Sequence, residues 1–95
     1  MSFLEEYGFD SADISEFDHN TPEKIITLIQ DNEKLVRENL KYLQNLGIAT
    51  YKEIFINYPD MFLMDYSNFE DMFAKYETSE LITKLNANYK MVEYL

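Results

Sequence analysis

Eighteen carboxylates and a single imidazole are the groups in this 95-residue chain that could do acid–base or metal chemistry, and there is no cysteine. The densest group is "DSADISEFD" at residues 10–18, acidic enough to hold calcium. An EF-hand loop needs Asp or Asn at alternating positions and Gly at the sixth. Counting from Asp10, the third residue is Ala12 and the sixth is Ser15, so the pattern fails and the stretch reads as solvated and capping. His19 is the only histidine. With no second His and no Cys it lacks the company a transition-metal site needs. As a general base it has no Ser or Thr tied to it by spacing, and it reads as a surface residue ahead of a helix cap. Asp60, Asp65, Glu70 and Asp71 could supply an acid–base pair, but capping and first-turn positions account for three of the four. The expectation is a non-enzyme with no metal site and no cofactor.

Binding residues are easier to nominate. "MFLM" at 61–64, with Met72 and Phe73, gathers side chains that serve adaptable binding surfaces or fill cores. A domain of this size must bury something and such clusters usually form the core; Met61, Phe62, Met64, Met72 and Phe73 are the candidate partner-binding residues on the alternative reading, a partner groove. Glu5, Glu6, Asp10, Asp13, Glu16 and Asp18 form a candidate acidic surface, because residues 1–20 hold these six acids and no Lys or Arg. Residues 21–57 balance five acids with five bases, and residues 58–95 set seven acids against three bases. The net charge is −10. Affinity for nucleic acid comes largely from Lys and Arg neutralising phosphates, so this balance disfavours DNA and RNA and favours a basic protein partner or plain solubility. The one locally basic face is Lys34, Arg37 and Lys41 at i, i+3, i+7, diluted by Glu33 and Glu38. The eight tyrosines could stack on bases. Without a positive groove they point to packing and protein contacts instead.

The elements that position these residues are helical. Only two Gly and two Pro interrupt the chain, and no stretch alternates strictly. "SFLEEYG" predicts a short turn or helix ending at Gly8, which suits a left-handed C′ position. "DSADISEF" follows, with Ser11 as the expected N-cap. In "NTPEKIITLIQDN" Thr21 is the expected cap, Pro22 fits the first helical position, and Ile25, Ile26, Leu28 and Ile29 the buried face. "DNEKLVRENLKYLQNLG" is the strongest helix: Val36, Leu40 and Leu43 fall at i, i+4, i+7, Leu35, Tyr42 and Leu46 flank them, Asp31 or Asn32 can cap it, and Gly47 can end it. "TYKE" at 50–53 and "SNFE" at 67–70 read as capping boxes. Thr78 or Ser79 opens "ELITKLN", and "NYKMVEYL" makes a last helix. The fold class is all-α: one domain over 1–95, built of short helices in two to three helix-turn-helix units forming a small compact or curved bundle. The acids of "MSFLEEYGFD", and the lack of any apolar run near the ~18 residues of a membrane span, lead to the expectation of a cytoplasmic protein away from membranes.

The units repeat. Asn57-Tyr58 matches Asn88-Tyr89 at a shift of 31 residues, Gly8 and Gly47 lie 39 apart, and Pro22 and Pro59 lie 37 apart. "ENLKYLQNLGIATYKEIFINYPDMFLMDYSNFEDMF" resembles the repeat of the mitochondrial transcription termination factor (mTERF) family. The matching residues are Leu43, Leu46, Gly47, Ile54, Pro59, Phe62 and Leu63, clearest over 38–73. The resemblance implies a curved stack of helical units whose concave face binds nucleic acid through Lys and Arg. This chain departs there, with Arg37 as its only arginine and no basic stripe. The functional expectation is a protein–protein interaction or regulatory module. The alternatives are an acidic inhibitor, antitoxin or immunity-type protein that binds a basic partner and, behind it, nucleic-acid binding through the repeats. A homo-oligomer stays open.

Overall fold

Gly8 and Gly47 sit at φ +85° and +96°, the only positive values among the described residues. Each ends a helix in the same way. Gly8 N–H donates to Glu5 O and Phe9 N–H to Leu4 O; Gly47 N–H donates to Gln44 O and Ile48 N–H to Leu43 O. This is the Schellman arrangement, which needs a residue without Cβ at C′. In both copies the next residue, Phe9 or Ile48, plunges into the core.

The computed structural model describes residues 2–95. They form six α-helices: α1 (Ser11–Asn20), α2 (Glu23–Asp31), α3 (Glu33–Leu46), α4 (Tyr51–Asn57), α5 (Tyr66–Ala74) and α6 (Thr78–Ala87). Three short 3-10 helices complete the chain: N-terminal (Ser2–Tyr7), middle (Pro59–Leu63) and C-terminal (Tyr89–Tyr94). Among the described residues there is no strand, and the all-α class holds. The element order falls into three units: N-terminal 3-10, α1, α2; then α3, α4, middle 3-10; then α5, α6, C-terminal 3-10. Between the first and second units every corresponding pair of elements touches; between the second and third, α3 meets α5, while the C-terminal 3-10 helix packs on α4. α3 packs on the N-terminal 3-10 helix and on α5, α4 on α1, and the middle 3-10 helix on α2. The result measures 34 × 25 × 22 Å.

A file of phenyl rings runs through the units. Phe9 meets Phe55 edge-on at 5.4 Å, Phe17 stacks on Phe55 at 4.9 Å, Phe55 meets Phe62 at 5.1 Å, and Phe62 meets Phe69 at 5.2 Å. Phe73 closes the file against Phe69 at 5.1 Å, with Tyr42 beside it. Such ring pairs add about 0.5–1.5 kcal/mol each beyond the area they bury. The Phe residues are the inner side of every unit, while the Tyr residues are half-buried or exposed toward the rim, and the Tyr51 hydroxyl donates to Tyr7 O.

Several local expectations are corrected. Asp10, not Ser11, caps α1: its carboxylate accepts from Asp13 N–H at 2.8 Å, and Asp13 accepts from Asp10 N–H at 3.0 Å. Thr21 caps nothing with its side chain; its hydroxyl is buried without a hydrogen-bond partner. Asn32 stands before α3, yet its amide turns back to donate to Leu28 O. Thr50 has φ −91° and ψ 19°, outside the extended geometry a side-chain cap needs, and it donates instead to Leu85 O at 2.9 Å. Ser67 lies inside α5, its hydroxyl on Asp65 at 2.8 Å. Glu77 caps α6 in place of Thr78 or Ser79, accepting from Glu80 N–H and from the Ser79 hydroxyl, both at 2.7 Å. Of the predicted α2 face only Ile29 is fully buried, and Leu28 is exposed. The last helix is of the 3-10 type.

Candidate functional site

The predicted Met-Phe patch is divided by burial. Phe62 and Phe73 belong to the phenyl file, 0% and 1% exposed, and offer no surface to a partner. The place of Phe73 follows from helix phase, since Phe69 and Phe73, at i and i+4, share a face of α5, whereas Phe62 is buried by the packing of the middle 3-10 helix on α2, α3 and α4. Met61, Met64 and Met72 are half-buried against the same core.

The basic face is divided as well. Arg37 turns toward the N-terminal 3-10 helix. Its Nη2 donates to Glu6 at 2.6 Å, its Nε to Glu33 at 2.9 Å, and its guanidinium lies 5.4 Å from the centre of the Phe3 ring. Those contacts hold the guanidinium protonated well beyond its ordinary range, chiefly through the bond to Glu6, and the same bond lowers the Glu6 carboxyl. Lys34 and Lys41 point elsewhere, into two shallow grooves on either side of Tyr66, and Glu38 lines both. Lys52 faces Asp13 at 3.8 Å across the seam between α4 and α1. The four cations do not converge.

The acidic surface keeps about half its members free. Glu6 serves Arg37, and Asp10 and Asp13 serve the α1 cap, where the Asp13 N–H lowers the Asp10 carboxyl. Glu5, Glu16 and Asp18 are exposed and make no ion pair among the described residues. His19 is exposed in the last turn of α1. Among the described residues no three His, Cys, Asp or Glu side chains stand where they could share a metal ion. No helix there is long and apolar enough to cross a membrane.

The structure adds a site that sequence patterning did not single out. One face of α6 carries Glu80, Leu81, Lys84 and Leu85, with the cap residue Glu77 just ahead of it, and together with the C-terminal 3-10 helix it encloses a groove of about 200 Å³. Met91, Tyr94 and Leu95 form the opposite wall and Tyr76 one end. Tyr94 is 76% exposed and Tyr76 39%, the largest exposures among the bulky apolar side chains of the described residues. The signal was present in the spacing: 77, 80, 81, 84 and 85 are one helical stripe, but three of the five residues are charged.

Behind the groove, α6 is bolted to the second unit. Asn86 accepts from Ala49 N–H at 2.7 Å and donates to Gly47 O at 3.3 Å, while Thr50 holds Leu85 O. The seam between the first two units is built alike, with Gln44 and the Tyr51 hydroxyl both donating to Tyr7 O. Asn39 was missed too. It is fully buried in α3, and its amide donates to Phe62 O and Met64 O, both at 3.0 Å, pinning the end of the middle 3-10 helix. Comparison with protein-family models, curated proteins and solved structures finds no match.

Proposed function

We propose that this chain is a non-enzymatic protein-binding module, acting in the cytoplasm, whose partner is basic. The observation that carries the reading is the distribution of charge. The net charge is −10, the lone arginine is consumed by two carboxylates, and exposed acids remain both on α1 and along α6. Complementary potentials speed encounter and suppress wrong partners. An acidic inhibitor, antitoxin or immunity-type protein is the narrower form of the same chemistry.

The mTERF resemblance enters here as a proposal about architecture alone. Three successive three-helix units support it, the first in the order 3-10, α, α and the other two in the order α, α, 3-10. Nucleic-acid binding is a weaker reading, because Lys34 and Lys41 share their grooves with Glu38 and lack Arg37 beside them. The test is retention of proteins from the source organism's lysate on the immobilised chain, eluted with rising salt. The expected result is stoichiometric retention of a basic protein, released steeply as salt screens the contact. Retention of nucleic acid, or of proteins without basic bias, overturns the reading.

A further inference from the structure

We propose that the groove between α6 and the C-terminal 3-10 helix is the docking site, and that its occupant is an amphipathic segment of a partner. Apolar side chains of that segment enter the groove while Lys or Arg lies over Glu77 and Glu80. The inference rests on the protein-binding reading above and specifies where and what the chain binds.

The argument is one of charge order and area. Along the α6 stripe the signs run acid, acid, apolar, base, apolar: Glu77, Glu80, Leu81, Lys84, Leu85. Glu77 and Lys84 are seven residues apart, about 10 Å along the helix. The α6 side of the groove therefore exposes opposite charges at Glu77 and Lys84, Leu81 and Leu85 lie buried beneath them, and the apolar surface open to an occupant is that of Tyr76, Met91, Tyr94 and Leu95. Glu77 stays ionised because the Ser79 hydroxyl and the Glu80 and Ser79 amides lower its carboxyl. Glu80 and Lys84 form no ion pair among the described residues, so both heads are available. Apolar anchors have room beside Met91, Leu95 and Tyr94, and Tyr is a residue type on which binding energy concentrates.

A second copy of the chain suits the groove poorly. A stable interface buries about 800 Å² per partner, more than nine groove residues supply, and two chains of charge −10 repel. A Lys-bearing helix meets two carboxylates at one end and a single ammonium at the other. Its polarity is thereby set, with bases toward the start of α6 and none over Lys84.

The test uses the full chain and a fluorescein-labelled amphipathic peptide of Leu, Lys and Ala, with its Lys-to-Glu counterpart as control, in fluorescence anisotropy at physiological salt. The Lys peptide binds and the Glu peptide does not. Tyr94→Ala, at an exposed position that leaves the fold intact, weakens binding by about tenfold. Glu80→Lys weakens it by about two- to fivefold, and Lys84→Glu tightens it by a similar factor. The double variant Glu16→Lys/Asp18→Lys, on α1, leaves it unchanged. If that α1 variant weakens binding as much as Glu80→Lys, the groove assignment falls while the acidic-module reading stands. No binding of the Lys peptide, or indifference to Tyr94→Ala and Lys84→Glu, also overturns the groove, and the lysate experiment then decides the broader reading separately. Self-association in sedimentation that Tyr94→Ala abolishes would assign the groove to a second copy and overturn the proposal.

Discussion

Replacing Asn39 tests whether the buried amide is a structural pin. Its Nδ2 supplies hydrogen bonds to Phe62 O and Met64 O, while its Oδ1 is buried without a partner. The two carbonyls cannot both turn to water, because the middle 3-10 helix is packed between α3 and α2. Asn39→Ala strands both acceptors, each costing ~1–3 kcal/mol, and removes the orphaned Oδ1, which returns about 1–2 kcal/mol. The expected net loss is about 2 kcal/mol. For a domain of this size that lowers Tm by about 8–16 °C. Asn39→Asp is worse at neutral pH, because it sets a buried carboxylate against two carbonyl oxygens. Burial raises such a carboxyl above its ordinary ~3.9. A raised folded pKa means that protonation favours the fold, so the deficit of Asn39→Asp relative to Asn39→Ala shrinks as the pH falls from neutral toward 4. Urea denaturation followed by far-UV circular dichroism at several pH values reads both effects. A loss under about 0.5 kcal/mol for Asn39→Ala, or a pH-independent gap between the two variants, would refute the reasoning.

Two further outcomes follow from the glycine turns and the caps. Gly47→Ala suffers the left-handed backbone alone, costing about 1–2 kcal/mol, since the new Cβ meets Ile82 at an ordinary 3.7 Å. Gly8→Ala costs more in the same denaturation experiment, because its Cβ would stand 3.0 Å from the Tyr51 hydroxyl and disturb the bond to Tyr7 O; equal losses would show that the seam bond is idle. Glu6, Asp10 and Glu77 all have lowered carboxyl values. Their contribution is complete above the ordinary carboxylate values near ~4 and is lost as the pH falls through the depressed folded values. Asp10→Asn keeps a capping oxygen without a titrating proton, so its Tm falls less steeply with acid than that of the parent chain; parallel curves would remove Asp10 from the acid transition.

Two of the N-cap corrections share one cause. Asp10 and Glu77 win over Ser11 and Thr78 or Ser79 because a carboxylate placed just ahead of the helix reaches the exposed N–H groups and complements the positive end of the dipole. Thr50 fails as a cap because the tertiary partner Leu85 O, 35 residues along the chain, claims its hydroxyl. Long-range competitors of that kind leave no trace in local spacing.

Helical periodicity, two glycines at left-handed positions and the recurring Asn-Tyr and Pro marks are local properties of the chain. They determined the all-α class, the α3 helix and its end at Gly47, and the repetition of units. Hydrophobicity alone could not decide which apolar residues face inward. Phe62 and Met61 are neighbours of similar character, and only the stacking of the middle 3-10 helix against α2, α3 and α4 buries the first and leaves the second at the rim. Tertiary structure also took Arg37 away from Lys34 and Lys41, because Glu6, 31 residues earlier, folds back to meet it. The α6 groove exists only because the C-terminal 3-10 helix returns alongside α6. Spacing can show that Glu77, Glu80, Leu81, Lys84 and Leu85 share a helix face. A groove needs an opposing wall, and that wall is set by packing between elements.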